Sequence, residues 1–171
     1  RSRNIKKRMI MGVYNHIKGD YPQALGNYHK ALKIDEELKD KNGMAKRFGN
    51  IGLIYYTQGD YPNALGYYFK ALKIAEEFGN KKEMANNNIR IGLIFWSQKD
   101  FSKAIDYFLK ALKLADALDN KPLQANALGH IGIIYKEQRD YNKALDCFFK
   151  ALKIDEETED ENAISIRLGN I

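Results

Sequence analysis

Shifted by forty residues, the chain aligns with itself from end to end, which restricts it to folds assembled from copies of one small unit. GDYPQALGNYHKALKI from Gly19, GDYPNALGYYFKALKI from Gly59, KDFSKAIDYFLKALKL from Lys99 and RDYNKALDCFFKALKI from Arg139 stack without a gap. A second block precedes each of them: MGVYNHIK, IGLIYYTQ, IGLIFWSQ and IGIIYKEQ. The spacing predicts one array of four repeats, 1–40, 41–80, 81–120 and 121–160, with a partial fifth at 161–171. The chain reads as a piece of a longer protein.

Each repeat reads as two helices. Phe48, Ile51 and Tyr55 recur at helical spacing in the first block, and Tyr61, Leu65, Tyr68 and Leu72 do so in the second. Gly19 and Gly59 end the first helix in a left-handed conformation, and Lys99 and Arg139 stand at the same place. Asp20, Asp60, Asp100 and Asp140 follow as N-caps, with Pro22 and Pro62 in the next turn. Gly12, Gly52, Gly92 and Gly132 fall mid-helix, where glycine costs about 1 kcal/mol relative to alanine. Close approach of the paired helix would offset that cost. Ala24, Ala64, Ala104 and Ala144 are expected to supply its small facing surface. Two aromatic columns, Tyr21/Tyr61/Phe101/Tyr141 and Tyr28/Tyr68/Phe108/Phe148, are expected to fill the space between helix pairs. A unit with an apolar face that it cannot bury alone must stack on its neighbours.

Little here points to chemistry. The sequence shows no nucleophile motif, phosphate loop or paired metal ligands. His16 and His29 fall in the two blocks of repeat one and His130 in repeat four, without ligand spacing, and Cys147 reads as a small core residue. No catalytic residue, metal or cofactor is implied, and the chain is not read as an enzyme. No apolar run approaches the ~20 residues that span a bilayer, and no signal peptide is legible, so a cytoplasmic location is expected. The acidic runs at 35–37 and 155–157 end second helices, where they oppose the helix dipole and suggest ion pairs to the next repeat.

The set Phe48, Ile51, Gly52, Tyr55, Gly59, Tyr61, Ala64, Tyr68 and Ala71 resembles the tetratricopeptide repeat. The period is forty rather than the common 34. The family's opening aromatic is replaced by Arg8, Asn88 and Leu128 in repeats one, three and four. The forty-residue form is similar to Pins-like adaptors and to sensor segments of bacterial signalling proteins. The resemblance implies an all-α fold, a right-handed superhelical solenoid of antiparallel helix pairs. It also implies a concave groove, lined by first helices, that binds a peptide or partner helix.

Second helices repeat closely, whereas first helices vary along the face that the resemblance assigns to the groove. That face carries the expected peptide-binding set: Asn50, Tyr56, Asn86, Arg90, Trp96, Asn126 and His130. Asn50, Arg90, His130 and Asn170 form one column of hydrogen-bonding groups. His16, Tyr56, Trp96 and Lys136 form another. The alternative for Tyr56 and Trp96 is packing against neighbouring helices, and for Arg90 a solvated charge or an intramolecular pair. Asn50 and Arg90 match two places of the carboxylate clamp of chaperone-binding relatives, while Met9, Val13 and Asn86 occupy the other three. The net charge is +6, with the basic residues concentrated in the first-helix blocks. A protein or peptide partner, acidic or carboxylate-ended, is therefore expected. No nucleic acid is expected, since acids interrupt the basic residues. Self-association through the ends of the array, or an intramolecular regulatory role in a longer signalling protein, stays open.

Overall fold

The computed structural model describes residues 2–171, with side chains from residue 4. Arg1 and the side chains of Ser2 and Arg3, part of the basic opening run, lie outside the described residues. Among these residues the chain is all helix and turn: α1 (Ser2–Ile17), α2 (Tyr21–Glu37), α3 (Lys41–Thr57), α4 (Tyr61–Glu77), α5 (Lys81–Ser97), α6 (Phe101–Asp116), α7 (Lys121–Glu137), α8 (Tyr141–Glu157) and α9 (Glu161–Asn170). The fold is an all-α helical repeat with two helices per forty residues. It divides into two compact bodies, Arg1–Gly79 and Asn80–Ile171. Within each, every helix packs on its neighbours in the chain, and in the C-terminal body α5 also touches α7.

Helix boundaries recur every twenty residues, half the period of the packing pattern. Asp20, Asp60, Asp100 and Asp140 cap second helices as expected. First helices are capped in the same way by Asp40, Asn80, Asn120 and Asp160. In each case a side-chain oxygen accepts the N–H three residues on, as in Gly43 N to Asp40 Oδ1 at 2.9 Å. Such a cap contributes about 1 kcal/mol. The residue before each cap is left-handed. Gly19 and Gly59 both have φ of 76°, and Lys99 and Arg139 adopt the same geometry at 63° without glycine's freedom. Second helices end likewise, at Lys39, Gly79, Asp119 and Glu159.

The mid-helix glycines are in close contact with the paired helix, as expected, chiefly through its rings, and at Gly52 the Ala64 carbonyl also lies 3.3 Å away. A β-carbon at Gly12, Gly52, Gly92 or Gly132 would lie 2.6–2.8 Å from the ring of Tyr28, Tyr68, Phe108 or Phe148. These rings therefore press one edge on the glycines of their own repeat's first helix, and they also meet the next repeat, as Tyr28 does in its cluster with Phe48 and Ile51 and Phe108 does against His130. They are almost fully buried, as are Ala24, Ala64, Ala104 and Ala144. The second aromatic column is only half-covered, and Tyr141 is 58% exposed. Its rings shield the ends of first helices, as Tyr61 does beside Tyr56 at 5.9 Å.

The expected ion pairs between repeats form at two places. Asp35 Oδ2 accepts from Arg47 Nε at 2.9 Å in the N-terminal body, and Asp155 Oδ2 from Arg167 Nε at 3.1 Å in the C-terminal body. The first pair is buried, and the second is buried on the Asp155 side and partly exposed at Arg167. At the corresponding places in repeats three and four stand Ala115 and Ala127, both fully buried.

Candidate functional site

In the C-terminal body the first helices α5 and α7 leave a cleft of about 320 Å³ between them. Ile89, Pro122 and Leu123 give it apolar walls, and Asn86, Arg90 and Asn126 give it polar ones. Asn86 and Asn126 occupy the same register on successive helices because the repeat places them forty residues apart. Arg90 lies one turn beyond Asn86, where its Nη1 donates to Asn87 Oδ1 at 3.3 Å. Asn87 is itself buried, anchored by Nδ2 to the Glu83 carbonyl at 2.9 Å. The guanidinium is thus held in place from within its own helix.

A second cleft, of about 430 Å³, opens between α7 and α9 and shares Pro122 and Asn126 with the first. His130, Ile133, Arg167 and Asn170 line it further along. Arg167 organises this cleft. Its Nη2 donates to the Ala125 carbonyl at 2.8 Å while its Nε holds Asp155. The guanidinium lies over Gly129, where a β-carbon would collide with it. Beside it, the His130 ring stacks on Phe108 with centroids 5.0 Å apart, and its Nδ1 is buried without a hydrogen-bond partner. Burial, reinforced by the Arg167 charge, lowers the His130 pKa to about 4. At neutral pH the imidazole is therefore uncharged and offers a flat, weakly polar wall.

The structure brings Asn86, Arg90, Asn126 and His130 together along one face of the C-terminal body. Asn50 and Tyr56 lie on α3 in the N-terminal body, half-buried, with Tyr56 beside Tyr61. Trp96 is half-buried and already engaged. Its Nε1 donates to Glu137 Oε1 at 2.9 Å, and Lys99 Nζ reaches Oε2 of the same carboxylate at 3.1 Å. The indole thus ties α5 to α7, as the packing alternative holds, and leaves only its ring to a partner. The basic layer is also weaker than its residue count. Arg47 and Arg167 are consumed in ion pairs with Asp35 and Asp155, and Lys136 Nζ donates to the Asn170 carbonyl at 2.8 Å. The organising role of Arg167 was not anticipated. Its sequence signal is the twelve-residue Asp–Arg spacing, 35 to 47 and 155 to 167, present only where the second helix ends in KIDEE.

Among the described residues no three His, Cys, Asp or Glu side chains are grouped to hold a metal, and no helix is long and apolar enough to cross a membrane. Burial raises the Cys147 thiol pKa, which suits a packed side chain rather than a nucleophile.

Comparison with known proteins gives the following. The family described as Tetratricopeptide repeat matches residues 9–77 and 83–157. Curated protein sequences give no match. Among solved structures, BtubC (BKLC) from P. vanneervenii is similar over 90% of this chain and 63% of its own, at TM-score 0.81 and 23% identity. The apo form of RapI is similar over 92% of this chain and 58% of its own, at TM-score 0.82 and 19% identity. Aspartyl phosphate phosphatase F from Bacillus subtilis is similar over 91% and 41%, at TM-score 0.83 and 23% identity. The chain spans less than two thirds of each of these proteins, and the likeness concerns the fold.

Proposed function

The chain belongs to the tetratricopeptide-repeat family, and from that premise we propose that the first-helix face of its C-terminal body binds a peptide or helix of a partner protein. Folds of this family typically serve as non-enzymatic protein–protein interaction modules. The observation that carries the finer reading is the pair of adjoining clefts. They share Pro122 and Asn126, and Asn86 and Asn126 repeat in register while their neighbours differ between repeats, Ile89 against Gly129 and Arg90 against His130.

The chemistry of the face suits a polypeptide. Asn86 and Asn126 each offer a donor and an acceptor, which matches the alternating groups of a peptide backbone. Arg90 adds a cation for an acidic side chain or a terminal carboxylate. A hydrogen bond to a charged group contributes roughly 1.5–3 kcal/mol, whereas micromolar binding needs about 8 kcal/mol. Polar contacts alone therefore fall short. Apolar burial on Ile89, Leu123 and Ile133, at about 25 cal/mol per Å², would supply the remainder. In the N-terminal body, Asn50 and Tyr56 would act in the same manner.

The test is a peptide-array screen of the whole chain beside an Arg90→Ala/Asn126→Ala variant. Acidic or carboxylate-ended peptides should bind the parent and lose at least tenfold in affinity on the variant, with the melting temperature unchanged. Peptides that bind both proteins equally would overturn the reading.

A further inference from the structure

Two corresponding junctions in the chain are filled differently. In the N-terminal body α3 packs on α2 and α4, and Phe48 shares a buried cluster with Leu32 and Ile74. Met44 and Tyr67 close over that cluster. Lys70 Nζ stands 5.7 Å from the centre of the Phe48 ring and 5.0 Å from that of Tyr67. In the C-terminal body α7 takes the place of α3, packing on α6 and α8. The repeat now puts Leu128 where Phe48 was, Cys147 for Tyr67 and Gln124 for Met44.

Each of these changes removes apolar volume, and a cleft of about 450 Å³ stands at the junction. Leu112, Leu128 and Ile154 form its floor, and Lys121, Lys150 and Lys153 stand on its rim. Leu32, Phe48 and Ile74 are buried in the N-terminal body, whereas Leu112, Leu128 and Ile154 are only half-buried. The cleft is comparable in volume with ligand sites, roughly 300–1,000 Å³, and is wide open to solvent on one side. It is built from α6, α7 and α8 and shares no lining residue with the face described above.

We propose that this cleft receives an aromatic side chain of a partner polypeptide, with carboxylates beside that side chain. The protein itself shows that an aromatic ring fits this junction, because Phe48 occupies the equivalent one. It also shows the ring's polar neighbour, because Lys150 repeats Lys70, and an ammonium beside an aromatic face is attractive. The rim supplies the preference for acids. Lys150 is paired with the exposed Asp146 at 2.6 Å, and Lys121 with Glu157 at 3.4 Å and Asp119 at 3.8 Å, all open to solvent and to exchange. Lys153 makes no ion pair among the described residues. The remaining rim acid, Asp116, accepts from Gln124 at 3.0 Å. A segment that sets a ring between carboxylates would therefore meet apolar floor and cationic rim together.

Leucine and isoleucine methyl NMR on the whole chain tests this, with acetyl-Glu-Glu-Phe-amide as probe. Shifts should concentrate on Leu112, Leu128 and Ile154. Acetyl-Glu-Glu-Ala-amide and acetyl-Gln-Gln-Phe-amide should each bind at least tenfold more weakly. Leu128→Phe restores the filling found in the N-terminal body, and should abolish the response while leaving distant methyl signals in place. Lys150→Ala/Lys153→Ala should erase the preference for Glu over Gln without closing the cleft. Equal binding of the alanine peptide, or a response that survives Leu128→Phe, would overturn the proposal. The chain carries one such segment itself, Glu76-Glu77-Phe78, with Phe78 65% exposed. Sedimentation that shows self-association abolished by both Phe78→Ser and Leu128→Phe would put a second copy in the cleft, and would equally overturn assignment to a separate partner.

Discussion

Gly92 and Gly66 are both helical, but a methyl group would meet different surroundings at each. At Gly92 it would press on the Phe108 ring from 2.8 Å, whereas at Gly66 nothing lies within 4 Å. Alanine gains about 1 kcal/mol over glycine in a helix, and forcing extra volume into a packed core costs about 1–3 kcal/mol. Gly66→Ala should therefore raise urea-unfolding stability by roughly 0.5–1 kcal/mol, and Gly92→Ala should lower it by up to about 2 kcal/mol. The recurrence of Gly92 was legible in the sequence. Its partner was not, because spacing along a helix does not say which side chain of the facing helix swings over it. A second residue-scale consequence concerns His130, with a pKa near 4 in the folded chain and about 6.5 when unfolded. Between these values the unfolded chain holds more protons, so stability rises with pH. The contribution is complete above pH 6.5 and is lost as pH falls toward 4, by about 3 kcal/mol in all. Urea titrations at several pH values should show the difference between the parent and His130→Gln narrowing or reversing as pH falls through that window.

At the scale of helices, the Asp35–Arg47 pair joins α2 to α3 inside the core. Removing one partner strands a buried charge, so Asp35→Ala should cost roughly 3–5 kcal/mol. Asp35→Ala/Arg47→Ala should recover most of that loss, since Ala115 and Ala127 already fill the same places in the C-terminal body. A double-mutant cycle in urea measures it. A cycle in which the two losses simply add would show that the pair is not coupled. The two forms of this junction are readable from the sequence, because the Asp and the Arg appear together in two places and are absent together in the other two. Helix ends were half legible. Asp20 and its counterparts sit in near-identical sequence, while Asp40, Asn80, Asn120 and Asp160 perform the same task inside links whose letters differ. Lys39 and Glu159 gave no sign of a left-handed backbone, which their side chains do not favour, whereas Asp119 is of a type that tolerates it. The following cap and the pairing of the flanking helices impose it.

For the whole molecule, the fold class was legible because a repeat states its packing rule several times over. The candidate site was less so. The sequence put Asn86, Arg90, Asn126 and His130 on one face, and the structure gathers them along two clefts. It could not show that Trp96 reaches Glu137 across to the next first helix, because that depends on how closely α5 and α7 approach. The capping pattern has a consequence at this scale. Every helix from α2 onward opens on an Asp or Asn, and the residue before that cap is left-handed. Start and stop signals are therefore carried by residues adjacent in the chain. A recombination event that cuts in register at any of these points passes on complete instructions for whole helices. A gene built this way can lengthen, shorten or exchange its working surfaces without having to rediscover where each helix begins.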